Sequence, residues 1–154
     1  MQAQAPLPAK HKTRASVFRD SVVVRIAENA DGKRIEALFK VNNVVFPLAN
    51  WEEVSPHWLV ATVDGQLIGC VMVVPAKPIG LVEFLLLHPP TKFKLRAIAM
   101  KKLALAAAIT LREYGCAYLS CVVVDDNQPF MAVLEKYGFR KAAPATVMVK
   151  RLKD

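Results

Sequence analysis

Glycine is scarce in this chain of 154 residues: there are six, and none stands in a GxGxxG or Walker-type loop, so the usual glycine-cradled nucleotide sites are excluded. Long apolar runs are missing too. Polar or charged residues interrupt every candidate before about 18 residues, and no membrane span is expected. The N-terminal stretch has no apolar core of the secretory kind. Cysteine is limited to Cys70, Cys116 and Cys121, an odd set in apolar, strand-like surroundings, which reads as small buried thiols kept reduced in a cytoplasmic protein. His11, His57 and His88 lie far apart without paired ligand spacing, and Cys116 with Cys121 lacks a second pair, so no structural zinc is expected. Serine-nucleophile motifs are absent. Acidic residues are the last shortage, 13 against 21 Lys and Arg, a net charge of +8 that draws polyanions without choosing among nucleotide phosphates, nucleic acid and acidic proteins.

What is present is apolar: 54% of residues are hydrophobic, enough for one substantial core and hence one domain. That domain is expected over residues 21–154. Residues 1–20 read as a basic, proline-containing arm with little apolar surface, carrying Lys10, Lys12, Arg14 and Arg19, through which a protein partner or a second copy would dock.

The domain opens on a β-branched strand over 21–26, followed by a helix over 33–41 with Ile35, Leu38 and Phe39 on one face. A loop then carries Asn42, Asn43, Phe46, Pro47, Asn50 and Trp51, its aromatics read as lids on the core. Two β-rich runs, 57–63 and 66–74, flank Asp64-Gly65, where glycine supplies the positive φ of a tight hairpin. Residues 79–87 add a third antiparallel strand. The chain is organised around what comes next: His88-Pro89-Pro90, a lysine-rich turn, and a long Ala- and Leu-rich helix that Gly115 stops. A buried strand over 117–124 follows, parallel to its predecessor because a helix connects them. Asn127 caps a helix over 129–137, and a strand over 146–152 closes the sheet. The pattern is α+β, a mixed sheet with helices on both faces.

This order, with Leu87-His88-Pro89 before a basic turn, the hairpin at Asp64-Gly65 and the ending Glu135-Lys136-Tyr137-Gly138-Phe139, resembles the GNAT superfamily of N-acetyltransferases from residue 22 to residue 152. The resemblance implies a largely antiparallel, splayed sheet whose third and fourth long strands part, with acetyl-CoA in the gap. It places the family's pyrophosphate turn, [Gln/Arg]-x-x-Gly-x-[Gly/Ala], on Lys92-Phe93-Lys94-Leu95-Arg96-Ala97, following Leu87, and sets Asn127 against the arm of the coenzyme.

Two positions depart from the family's pattern. Leu95 stands where glycine would let amides approach phosphate, and a left-handed backbone there costs a leucine roughly 1 to 2 kcal/mol. Lys92, Lys94, Arg96 and Lys101 offer compensating charge. Leu134 stands where many relatives carry a proton-donating tyrosine, and Tyr137 lies three residues on, off the same face. Glu83, the one ionisable residue in its strand, is the candidate general base; strict alternation puts it with Leu81, Leu85 and Leu87.

Leu95 and Leu134 favour a GNAT-fold protein with weakened or lost transfer and no cofactor, acting as an assembly component through its basic arm, in the cytoplasm or in a viral particle assembled there. The alternative is an active acetyl-CoA-dependent N-acetyltransferase with Glu83 as base and strand amides holding the oxyanion. Nucleic-acid binding through the turn and arm would be salt-sensitive and indifferent to sequence.

Overall fold

The structure is a computed structural model that describes residues 21–44, 51–123 and 127–141. The arm at 1–20, Phe46, Pro47 and Asn50 of the loop, and the closing strand at 146–152 lie outside the described residues. Two compact units divide the chain, residues 1–121 and 122–154, and are taken in turn.

The first unit is a five-stranded sheet in the order β1-β2-β3-β4-β5. Its strands are β1 (Val22–Ile26), β2 (Trp58–Val63), β3 (Gln66–Val74), β4 (Ile79–Leu87) and β5 (Tyr118–Cys121); all pairs are antiparallel except β4 with β5. Asp64 and Gly65 both have positive φ, 49° and 77°, which matches the twist of the β2–β3 hairpin they close. Helix α1 (Gly32–Val41) covers one face. Its Ile35, Leu38 and Phe39 are buried with Trp58, Val60 and Cys70, and the short helix α2 (Trp51–Val54) adds Trp51 to this cluster. Helix α3 (Phe93–Glu113) covers the other face through Ala99, Leu103, Ala107 and Leu111, a spacing of four that keeps one side of the helix on the sheet. Its end is closed by Gly115 at φ 80°, with the Cys116 amide donating to the Leu111 carbonyl and the Gly115 amide to that of Arg112.

One buried charge pins the start of this unit. Arg25 on β1 donates to both carboxylate oxygens of Asp31, at 2.6 and 3.1 Å, and the Glu28 amide donates to the same group. Burial pushes the Asp31 carboxyl up, but the Arg25 hydrogen bonds, the Glu28 amide and the charges of Arg25 and Arg34 outweigh it and hold the group below its ordinary range.

β4 does not run with strict alternation. Met72 pairs with Glu83 and Cys70 with Leu86, so Val71 alone faces two residues, and Phe84 takes up the extra one at φ 52°. The bulge reverses the phase of the strand. Val82, Leu85 and Leu87 pack toward α3, while Phe84 and Leu86 pack toward α1. Glu83 lies opposite Met72, which belongs to the α1 side, and so faces α1. The expected grouping of Glu83 with Leu85 and Leu87 is therefore corrected: the inserted residue separates them, and Leu81 alone of the three keeps Glu83's face.

In the second unit, α4 (Gln128–Lys136) begins where the Asn127 side chain accepts the Phe130 amide at 3.2 Å, with Pro129 in the first turn. Gly138 ends it at φ 86°.

Candidate functional site

The site is built where β4 and β5 separate. Their pairing runs only from Ile79 with Tyr118 to Val82 with Cys121. From Glu83 onward the outer edge of β4 has no strand partner among the described residues, and the bulge begins at the same place. Among the described residues no strand ladder uses the main-chain groups of that edge beyond Phe84.

At the far end of that edge the chain turns sharply. The His88 amide donates to the Ile68 carbonyl at 2.8 Å and the Thr91 amide to the His88 carbonyl at 3.0 Å, with His88 Nδ1 and Thr91 Oγ1 3.2 Å apart. Asn42, at the end of α1, donates through Nδ2 to the Leu87 carbonyl at 3.1 Å and fixes the last residue of β4.

The turn delivers the start of α3. Lys92 is its N-cap and supplies no side-chain hydrogen bond to the helix. The first main-chain bond runs from the Arg96 amide to the Lys92 carbonyl at 3.1 Å, so the N–H groups of Phe93, Lys94 and Leu95 precede the ladder and remain for an outside acceptor. A helix of 21 residues adds its dipole to those amides. Lys92 and Lys94 are exposed beside them, and Lys101 follows on the helix. Arg96 is half-buried, and its Nε is enclosed without a hydrogen-bond partner among the described residues.

Leu95 is not placed as the motif comparison suggested. It sits in the first turn of α3 with ordinary helical backbone, and its side chain packs into the core between α3 and the sheet. The expected left-handed strain is absent because the helix begins two residues earlier, at Phe93. Phe93 is the large residue turned outward, 77% exposed. Ala97 is exposed and small, one turn from the helix start.

Glu83 is half-buried and makes no ion pair or hydrogen bond among the described residues. Beside it, the Phe84 ring stacks on Trp58 at 6.2 Å and tilts against Phe39 at 5.4 Å. Phe84 and Met72 were not legible as site residues, since neither carries a reactive group and the bulge that aligns them with Glu83 has no sequence motif. The thiol of Cys121, at the last β4–β5 pair, is pushed up by burial, as is that of the buried Cys70. Asn127 belongs to the second unit, where its side chain is engaged as a helix cap.

Among the described residues no group of three or more His, Cys, Asp or Glu is arranged to hold a metal, and no helix is long and apolar enough to cross a membrane. No family model matches the sequence, and no curated protein matches it. Solved structures do. A transcriptional regulator from Bacillus halodurans C-125 superposes with a TM-score of 0.69 at 14% identity, covering 84% of this chain and 99% of its own. The aminoglycoside N-acetyltransferase AAC(6')-Iy in complex with CoA gives 0.67 at 19% identity, covering 85% and 95%. N-acetylglutamate synthase from Neisseria gonorrhoeae, complexed with coenzyme A and N-acetyl-glutamate, gives 0.60 at 18%, covering 73% of this chain but 27% of that longer one. The open five-stranded mixed sheet, the helices on both of its faces and these neighbours agree: the chain has the fold of the GNAT N-acetyltransferases.

Proposed function

We propose that the chain binds acetyl-CoA along the outer edge of β4 beyond its pairing with β5 and transfers the acetyl group to a primary amine. The observation that carries this reading is the packing of the half-buried Leu95 against the core, which turns its side chain away from the uncapped first turn of α3 and its three N–H groups, where a phosphate would bind. Lys92, Lys94 and Arg96 would add positive charge, with the enclosed Nε of Arg96 as an available donor. Leu87 and Ala97 would border the coenzyme, and Asn127 would contact its arm only with its side chain released from capping. Two of the neighbours were crystallised with CoA, which supports acyl-CoA as the co-substrate.

Acetyl-CoA supplies the acyl group as a thioester. Glu83, one residue before the bulge, would take a proton from the ammonium form of the amine and so free the lone pair that attacks the thioester, and the second proton on nitrogen would leave to solvent as the C–S bond breaks. With Leu134 where relatives place a tyrosine, the departing thiolate would take its proton from solvent. The scaffold reading draws on a crowded turn at Leu95, on Leu134 in place of a tyrosine and on the arm at 1–20; the helix geometry speaks against the first ground, the second stands, and the third lies outside the described residues.

The test is an assay of CoA release in the presence of primary amines. Glu83→Gln is expected to lower kcat about 100-fold with CoA affinity unchanged. Wild-type protein that releases no CoA with any amine would contradict the proposal.

A further inference from the structure

Glu83 is the only charged residue in either β3 or β4, and its same-face neighbours in these two strands are apolar. On the same face lie Leu81 by alternation, Met72 directly across the ladder, Phe84 at the bulge and Leu86 beyond it, each half-buried. None of these side chains offers a strong hydrogen-bond donor or acceptor. The wall is also held in place. Phe84 stays at a positive φ that costs a non-glycine residue roughly 1 to 2 kcal/mol because its ring is engaged by Phe39 and Trp58.

A partly buried carboxylate with no ion pair among the described residues, ringed by apolar groups, is complementary to a ligand that is cationic at one point and apolar elsewhere. Hydroxyls or a carboxylate on the ligand would lose water against Met72 and Phe84 and gain no partner there. Resting on the acetyl-transfer reading above, we infer that the acceptor is a primary amine on an aryl or alkyl body, its ammonium paired with Glu83 and its apolar part laid over Met72 and Phe84. A polyhydroxylated amine or an amino acid is disfavoured by the same surface. Met72 and Phe84 are then the specificity-determining residues.

The experiment compares 2-phenylethylamine, glucosamine and glutamate as acceptors with acetyl-CoA. 2-Phenylethylamine is expected to exceed both others in kcat/KM by about tenfold or more. Met72→Gln should raise its KM with kcat and CoA affinity retained, while Met72→Leu keeps the wild-type preference. Equal rates for all three, or a preference for glucosamine or glutamate, would overturn the assignment. If acetyl-CoA does not bind, the transfer reading fails by itself, and the acceptor is decided by titrating 2-phenylethylamine into the protein alone under NMR. Shifts centred on the Met72, Glu83 and Phe84 amides that disappear in Glu83→Gln uphold it; no shifts at millimolar amine overturn it.

Discussion

Gly80 and Leu111 are in such close contact that a Cβ on Gly80 would collide with Leu111 Cδ2. The helix α3 therefore sits directly on the main chain of β4, and Gly80 must face it. That contact sets the phase of the strand before the bulge, with Gly80 and Val82 toward α3, and so sends Glu83 to the opposite face. A structural glycine thus determines where the candidate base points.

Gly80→Ala should destabilise the protein by about 1 to 3 kcal/mol, since the methyl meets a packed leucine rather than open space. Leu111→Ala, which removes a buried side chain, should cost about 2 to 5 kcal/mol. The double variant should be more stable than the sum of the two losses, because the new methyl fits the vacated volume. Denaturant midpoints of the four proteins check the coupling, and strict additivity would contradict the contact.

Phe84 offers a test of the bulge through an inverted ranking. Within a regular strand, glycine is worse than alanine. At φ 52° the order should reverse, with Phe84→Gly about 1 kcal/mol more stable than Phe84→Ala, although both lose the stacking on Phe39 and Trp58. Equilibrium unfolding of the two variants measures the difference; alanine above glycine would mean a regular β4.

Leu95→Gly separates the two accounts of the turn. If leucine crowded the phosphates, glycine would tighten CoA binding. With the side chain in the core and the backbone helical, the substitution should instead destabilise the fold by roughly 2 to 3 kcal/mol and leave CoA affinity no better. Thermal melts with and without CoA read both quantities.

Asp31 makes stability fall in acid. Its folded-state carboxyl is held below the ordinary range, so its contribution is fully present above the unfolded-state value and is lost as pH drops through the folded one. Wild-type stability should therefore decline on acidification below the usual carboxylate range more steeply than that of Asp31→Asn, which is less stable at neutral pH. Parallel pH profiles of unfolding free energy would contradict the Arg25–Asp31 arrangement.

Much of the fold was legible because its signals are local. Asp64-Gly65 specifies its own turn, Gly115 its own helix end and Asn127 its own cap, and each needs only a few neighbouring residues. The site was less legible because its decisive features are tertiary. Period-two reading cannot register an extra residue at Phe84, since the bulge answers to packing between Gly80 and Leu111 and among three aromatic rings from α1, β2 and β4. Leu95 misled for a related reason. Matching it to a glycine position assumed a loop, while the burial of its side chain depends on α3 having already begun.

Isothermal titration of CoA into the wild-type protein and into a Lys92→Glu/Lys94→Glu variant addresses the central claim most directly. The account predicts saturable binding at one site, weakened about tenfold or more by the charge reversal. No binding at millimolar CoA, or affinity untouched by reversing both lysines, would contradict it.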